Sequence, residues 1–232
     1  MKPTTTWSEG HAARARALQD FGAFWYHDGN PNRPYVRLRS GLISNGYFNG
    51  AQLCERPAIL DAMVKNLVDE LLARYGDAIP VTDRVIGPAM GAITFAHSFA
   101  SRYFWARKKA DHIYTSFAEK DGDGFAFKRS MPRAGERLLL VEDTVTSGGS
   151  VLKVRDAARA AAPDVVIEPF LIAFCNRSGS DTLDGMDILS LVEGDFRTWE
   201  EGKNPYTDDG RELVPVVENA KNNWDVLTRD YA

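Results

Sequence analysis

Residues 57–176 alternate between strand-like and helix-like segments, and this alternation constrains the fold more than any other feature of the chain. Residues 57–75 place apolar side chains on one face of a helix, which we expect Gly76 to end. The segments that follow predict a strand (84–87), a small-residue turn (88–91), a helix (92–105), a strand (112–120), a strand (137–143), a helix (149–162) and a strand (165–176). Repeated strand–turn–helix units predict an α/β fold with a mostly parallel twisted sheet flanked by helices. Ligands bind such sheets beyond the carboxyl ends of the strands.

The two ends of the chain differ from this central part. Residues 20–56 contain alternating, aromatic-rich segments, which favour a small antiparallel hood at the N-terminus. Residues 197–232 are polar and irregular, with a turn cluster in KNPYTDDG, and predict a C-terminal extension. A chain of 232 residues with this pattern predicts a single domain, in which residues 57–196 form the α/β core.

Charge and composition argue against several classes of protein. The net charge of −4 disfavours nucleic acid as a partner, because a phosphate-binding surface usually carries a basic excess. The chain has no apolar run of the roughly 18 residues that a membrane helix needs, and its N-terminus lacks the apolar core of a signal peptide. Cys54 and Cys175 form no CxxC pair, which favours reduced thiols in the cytoplasm. The four histidines show no metal-binding spacing, so we expect no metal ligands from the chain itself.

The segment LLLVEDTVTSGGS (138–150) concentrates the chemistry. Glu142 and Asp143 end an apolar strand, a costly position unless the carboxylates are solvated or bind a ligand such as the diol of a ribose. The amides and hydroxyls of residues 144–150 lie where the next helix begins, and a helix N-terminus favours an anion. The GxxxxGK[ST] pattern of a Walker loop is absent, which disfavours that class of ATP hydrolysis.

This segment resembles the PRPP-binding signature of the type I phosphoribosyltransferases. The resemblance implies that Glu142 and Asp143 hold the 2′- and 3′-hydroxyls of the ribose. It also implies that the following loop cradles the 5′-phosphate through Thr144, Val145, Thr146, Ser147, Gly148, Gly149 and Ser150.

Three further segments are similar to the orotate phosphoribosyltransferases and occur in the order of that family. They are VRLRSGLISNGYFN (36–49), GPAMGAI (87–93), which resembles the pyrophosphate loop, and FCNRSG (174–179). Within the second segment, Met90 and Gly91 occupy PRPP-binding positions that are Tyr-Lys in many bacterial members, so that cation is missing here. Residues 197–232 carry no segment that resembles the family.

The resemblance implies a role for four further side chains and a second role for Thr146. Arg39 would lie beside the diphosphate of PRPP, where many members have lysine. Tyr47 and Phe48 would flank the orotate ring, Arg177 would bind the orotate carboxylate, and Thr146 would touch both the phosphate loop and the base. From their residue type alone, Tyr47 and Phe48 are equally compatible with core packing, and Arg177 with a surface ion pair.

The segment FAEKDGDGFAFKRS (117–130) departs from the catalytic loop of the family. Lys120 is the candidate for the catalytic lysine, with Lys128 and Arg129 as alternatives. Two glycines and several charges predict a mobile loop that closes over the diphosphate as a lid.

The implied reaction transfers the 5-phosphoribosyl group from PRPP to orotate, which gives orotidine 5′-phosphate and pyrophosphate in pyrimidine (UMP) biosynthesis. Lys120, Glu142 and Asp143 would be the catalytic residues, and Mg²⁺ would be bound mainly through PRPP. The resemblance also implies a homodimer in which loop 117–130 completes the neighbouring site.

Two alternatives stay open at this stage. One is a PRPP-dependent transferase for another nucleobase, which Arg177 disfavours because a neutral base needs no cation. The other is a non-catalytic PRPP-sensing homologue, which the altered loop 117–130 and the missing cation at Gly91 leave open.

Overall fold

The computed structural model of the chain describes residues 9–30, 32–38, 40–76, 81–107, 112–194, 196–200, 203 and 216–231. The chain forms two compact units, one of residues 1–52 with 194–232 and one of residues 53–193. The assignment of the whole chain to a single functional domain stays a prediction.

The elements follow one another in this order: α1 (Glu9–Asp20), β1 (Phe24–Tyr26), β2 (Tyr35–Arg37), β3 (Ile43–Ser44), β4 (Gly46–Phe48), α2 (Gly50–Cys54), α3 (Pro57–Tyr75), β5 (Arg84–Pro88), α4 (Ile93–Arg107), β6 (Tyr114–Asp121), β7 (Gly124–Ala126), β8 (Arg137–Val145), α5 (Gly149–Ala161), β9 (Val166–Asn176), β10 (Thr182–Leu183), β11 (Met186–Glu193), β12 (Thr198–Trp199), β13 (Val216–Val217) and α6 (Trp224–Thr228).

The larger unit is built on a seven-stranded sheet with the order β10-β11-β9-β8-β5-β6-β7. The five inner strands are parallel, and the short strands β10 and β7 pair antiparallel at the two edges. This arrangement confirms the predicted α/β fold with a mostly parallel sheet. The predicted helices and strands of residues 57–176 are all present, with ends that differ by one or two residues.

Burial of apolar side chains explains these elements. The apolar run of β8 is buried on both faces, as expected for a strand in the middle of a parallel sheet. Helix α3 begins with Pro57, whose missing N–H is tolerated in the first turn. Its buried face consists of Leu60, Met63, Val64, Leu67, Val68 and Leu71.

The smaller unit contains the N-terminal strands and the described part of the C-terminal segment. Strands β1 and β4 form an antiparallel ribbon, as predicted for the hood. A second sheet has the order β12-β3-β2-β13. The C-terminal residues were expected to be irregular, but β12 pairs with β3 and β13 pairs with β2.

None of the helices in the described ranges has both the length and the apolar character needed to cross a bilayer.

Candidate active site

Three of the predicted segments meet where strands β5, β8 and β9 end in the larger unit. Val145 at the end of β8 is in register with Asn176 at the end of β9. The next residue, Arg177, donates its backbone N–H to the Val145 carbonyl at 2.7 Å. The turn after β5 approaches the same edge, because a Cβ atom built on Gly91 would lie 2.8 Å from Oδ2 of Asp143. The fold therefore brings together residues 87–93, 142–150 and 174–179.

The two adjacent acids occupy different environments. The Glu142 side chain is buried, whereas Asp143 is half-buried. The Asp143 N–H donates to Oε1 of Glu142 at 3.0 Å. Burial, with a further contribution from the negative charge of Asp143, raises the pKa of Glu142 to about 8. Burial therefore favours the protonated form of Glu142, which can donate a hydrogen bond.

The predicted phosphate loop forms a small polar pocket of about 40 Å³ at the start of α5. Its lining consists of Glu142, Thr144, Val145, Thr146, Ser147, Gly148, Gly149, Ser150 and Val151. The 13-residue helix α5 begins at Gly149, so its unpaired N–H groups face the pocket. The loop thus presents amides and hydroxyls suited to an anion.

Gly148 is required by the shape of this loop. Its φ of 73° lies in the left-handed region, and an added Cβ would stand 2.4 Å from Cδ1 of Leu183. Its carbonyl accepts the Leu152 N–H at 3.0 Å, which closes the first turn of α5. The glycine therefore fixes the turn that aims the helix at the pocket.

The turn after β5 contains Met90 and Gly91, where the chain departs from the family pattern. Ala89 donates its N–H to the Ala118 carbonyl at 2.7 Å, which ties the turn to β6. The Met90 side chain is 83% exposed, whereas a side chain at Gly91 would displace the carboxylate of Asp143. Accommodating a lysine at position 91 would therefore require the Asp143 carboxylate to shift.

Arg177 lies at the end of β9 with its main chain fixed on both sides. Asn176 organises the next turn, since its Nδ2 donates to the Ser180 carbonyl at 2.8 Å and its Oδ1 accepts the Ser178 N–H at 3.0 Å. Arg177 is half-buried, and burial lowers its pKa, although a guanidinium stays charged at neutral pH. Asn176 was not singled out in the sequence, although its Asn-x-Ser spacing is typical of a turn of this kind.

Cys54 lies near the acids, although no feature of the sequence predicts this position. Burial, followed by the negative charge of Asp143, raises the pKa of its thiol. The sequence contains no local signal for this proximity, because residues 54 and 143 belong to distant segments.

The segment 117–130 lies largely in a β-hairpin, in which β6 confirms the strand predicted at 112–120 and β7 is a strand that was not predicted. Strands β6 and β7 pair antiparallel, with Lys120 opposite Phe125. Phe127 is buried, and Phe125 packs against the main core cluster. Lys153 on α5 donates to the carbonyl of Asp123 at 2.6 Å. Apolar packing therefore connects this hairpin to the core, and its role as a lid that closes over the diphosphate stays a prediction.

The three candidate cations of this hairpin differ in their contacts. Lys128 Nζ lies 3.3 Å from Oδ1 of Asp121, and Arg129 Nε lies 3.9 Å from Oε1 of Glu119. Within the described ranges, Lys120 makes no ion pair, and its side chain is exposed. Alternation along β6 directs Lys120 to the face opposite that of Glu119 and Asp121.

Tyr47 and Phe48 belong to the smaller unit, on β4, where both are half-buried. Tyr47 packs against a cluster that includes Trp25, and its ring centroid lies 6.2 Å from that of Trp224. Their role in binding the base stays a prediction. Arg39, predicted at the diphosphate, lies outside the described residues.

No protein-family model matches the chain. The chain is 36% identical over 185 residues to the orotate phosphoribosyltransferase of Pelotomaculum thermopropionicum, with 79% of this chain and 86% of the relative covered. It is 30% identical over 184 residues to the orotate phosphoribosyltransferase of Carboxydothermus hydrogenoformans, with 79% of this chain and 87% of the relative covered.

Two solved structures share the fold. The orotate phosphoribosyltransferase of Aeropyrum pernix matches 77% of this chain and 92% of its own, with a TM-score of 0.57 and 20% identity. The Mycobacterium tuberculosis orotate phosphoribosyltransferase, solved with 5-phospho-α-D-ribosyl 1-diphosphate, matches 79% of this chain and 96% of its own, with a TM-score of 0.54 and 19% identity.

Proposed function

The chain belongs to the orotate phosphoribosyltransferase family, and from this premise we propose that it transfers the 5-phosphoribosyl group of PRPP to orotate. The products are orotidine 5′-phosphate and pyrophosphate, a step of pyrimidine biosynthesis. The observation that carries the proposal is the convergence of the Glu142–Asp143 pair, the anion-binding loop and Arg177 at one edge of the sheet.

The acids act on the ribose. Loss of pyrophosphate from the anomeric carbon builds positive charge on the sugar ring. A carboxylate at Asp143 stabilises that charge more strongly in the transition state than in the ground state. Glu142 in its protonated form, which burial favours, can donate a hydrogen bond to a ribose hydroxyl. The pair thus combines one acceptor and one donor for the diol.

The loop of residues 144–150 holds the 5′-phosphate. Its amides, its hydroxyls and the N-terminus of α5 provide hydrogen bonds and a favourable dipole for a doubly charged group. Anchoring the phosphate fixes the sugar relative to the acids, so the anomeric carbon is presented in one orientation.

Arg177 selects the base. A guanidinium binds a carboxylate through two parallel hydrogen bonds, and such charge-assisted bonds are stronger than neutral ones. Thr146 would touch both phosphate and base, and Tyr47 with Phe48 would flank the orotate ring. A base without a carboxylate could not form these charge-assisted hydrogen bonds, which disfavours uracil and the purines.

The leaving pyrophosphate requires cations. Arg39 and Lys120 are the proposed side chains, with the backbone at Met90 and Gly91 beside the diphosphate. Lys120 is supported by its exposure and by its lack of an ion pair within the described ranges.

Magnesium is the proposed cofactor. The described residues include no group of three ligating side chains that could hold an ion, so we propose that Mg²⁺ is carried mainly by the oxygens of PRPP and by water. Once bound, the ion neutralises the developing charge of the pyrophosphate.

We further propose a homodimer in the cytoplasm. In a homodimer, loop 117–130 of one subunit would complete the site of its neighbour. The free thiols of Cys54 and Cys175 support a reducing compartment.

The test is a turnover assay with the purified protein, PRPP and Mg²⁺. Pyrophosphate release is followed with orotate, uracil, adenine or hypoxanthine as the acceptor. We expect release with orotate and formation of orotidine 5′-phosphate. We expect Asp143→Asn to abolish most turnover at an unchanged melting temperature. Wild-type kinetics in Asp143→Asn would contradict the role of Asp143 in ribose binding.

The same assay tests the non-catalytic alternative, which the absence of a cation at Gly91 favours. Saturable PRPP binding without pyrophosphate release for any of the four bases would support that alternative and contradict the proposed reaction.

A further inference from the structure

The C-terminal segment, defined as residues 216–231, is an integral part of the smaller unit. Strand β13 extends the sheet by pairing parallel with β2, with Val216 opposite Tyr35 and Val217 opposite Val36. Glu218 Oε1 accepts a hydrogen bond from Nε of Arg37 at 2.5 Å. These contacts fix the start of the segment.

The C-terminal end of the segment is held in place by hydrogen bonds that its main-chain carbonyls accept. The buried indole of Trp25 donates to the Leu227 carbonyl at 2.9 Å. Asn30 donates from Nδ2 to the Tyr231 carbonyl at 2.7 Å, and the guanidinium of Arg33 lies 5.5 Å from the Tyr231 ring centroid. Helix α6, between the two ends, therefore has a defined position against β1 and β2.

Trp224, the first residue of α6, meets Tyr47. The two ring centroids are 6.2 Å apart, with an angle of 55° between the ring planes. Tyr47 is also opposite Trp25 in the β1–β4 ribbon, so the two side chains share one face of the ribbon. Trp224 and Trp25 thus limit the rotation of the Tyr47 ring.

We propose that the C-terminal segment is a positioning element for the nucleobase and that Trp224 acts by holding the ring of Tyr47 in place. This inference rests on the proposed function, in which Tyr47 flanks orotate. A ring that is already ordered before binding loses less conformational freedom when the base arrives. The effect should therefore fall on orotate binding and leave PRPP binding and chemistry unchanged.

The experiment compares steady-state kinetics of wild type, Trp224→Ala and Trp224→Phe. We expect Trp224→Ala to raise the KM for orotate about three- to tenfold, the range expected when one side chain loses its preorganisation. The KM for PRPP and kcat should stay within about twofold of wild type, since neither depends on the ring of Tyr47. Trp224→Phe keeps an aromatic edge and should restore most of the orotate affinity.

Val226→Ala is the matched control. Val226 lies in the same helix and packs against the same cluster, but it offers no ring to Tyr47. The Val226→Ala variant should have a lower melting temperature and an unchanged KM for orotate. If Trp224→Ala does not fold, Trp224→Leu replaces it, because leucine retains apolar packing without the aromatic edge.

The outcomes separate this inference from the function on which it rests. Equal increases in both KM values, or an unchanged KM for orotate in an active Trp224→Ala, would overturn the positioning role alone. A wild-type protein that forms no orotidine 5′-phosphate would overturn the proposed function and this inference together. A Tyr47→Ala background should abolish the effect of Trp224→Ala, and an undiminished effect there would also overturn the inference.

Discussion

At the scale of single residues, Glu142 and Asp143 show how neighbours in sequence acquire different chemistry. Successive side chains of a strand point to opposite faces, so one acid is buried while the other reaches the turn at Gly91. Burial raises the pKa of Glu142 and so favours its protonated form. The acid pair is thus asymmetric before any substrate binds.

This asymmetry predicts how stability depends on pH. The pKa of Glu142 rises from 4.5 to about 8 on folding, so between these values the folded protein binds more protons than the unfolded chain. The contribution of Glu142 to the free energy of unfolding is therefore largest at low pH, and it is lost as pH rises toward 8. Glutamine at position 142 is always neutral and can still accept the Asp143 N–H.

We therefore expect the melting temperature of Glu142→Gln, relative to wild type, to rise between pH 5 and pH 8.5 in the substrate-free protein. Thermal unfolding in matched buffers measures this difference. If the melting temperatures of Glu142→Gln and wild type differ by the same amount at pH 5 and pH 8.5, the pKa of Glu142 is not raised by folding.

At the scale of elements, the sequence predicted the parts whose signals are local. The spacing of Leu60, Met63 and Val64 specifies the buried face of α3, and the apolar run of β8 specifies a central strand. Strand β13 has only two residues, and its partner β2 lies about 180 residues earlier in the chain. Such pairing depends on tertiary contacts, which a local pattern does not encode.

Strand β7 was missed for a different reason. The DGDG turn and the flanking charges are typical of a loop, whereas Phe125 in β7 packs against the core cluster that contains Phe127. For the acid–loop–arginine site, by contrast, the family resemblance singled out the residues. The strand–turn–helix pattern predicted that their segments would meet, because the carboxyl ends of parallel strands lie at one edge of the sheet.

The hairpin also predicts which of its cations acts on the leaving group. Lys128 and Arg129 are paired with Asp121 and Glu119, whereas Lys120 is exposed and, within the described ranges, makes no ion pair. We expect Lys120→Ala to lower kcat at least tenfold with a smaller change in the KM for PRPP, as for a contact made mainly in the transition state.

Lys128→Ala and Arg129→Ala serve as matched controls in the same kinetic assay. Each should change kcat by less than about threefold, because removing an exposed ion pair costs little. A larger loss in either control than in Lys120→Ala would move the catalytic role to that residue.

At the scale of the whole molecule, the chain combines a parallel-sheet unit with a smaller unit to which both chain ends contribute. In the proposed homodimer, the hairpin of one subunit contributes Lys120 to the active site of the other subunit. That arrangement predicts complementation between two inactive variants.

Lys120→Ala and Asp143→Asn should recover activity when they are co-expressed. If the hairpin acts on the neighbouring site, each hybrid dimer contains one site without either substitution. Random pairing then gives about a quarter of wild-type activity, because about half of the dimers are hybrids with one intact site of two. Activity no higher than the sum of the separate variants would mean that Lys120 serves its own subunit.

The central claim is that orotate is joined to ribose 5-phosphate at the sheet edge where β8 and β9 end. In this claim Arg177 binds the carboxylate of orotate. The most direct test is the ratio of kcat/KM for orotate to kcat/KM for uracil, in wild type, Arg177→Ala and Arg177→Lys. We predict a strong preference for orotate in wild type and a collapse of that preference in Arg177→Ala, caused by loss of orotate turnover. Arg177→Lys should restore it only in part, because an ammonium lacks the planar fork. An orotate-to-uracil ratio that is unchanged in Arg177→Ala would contradict the account.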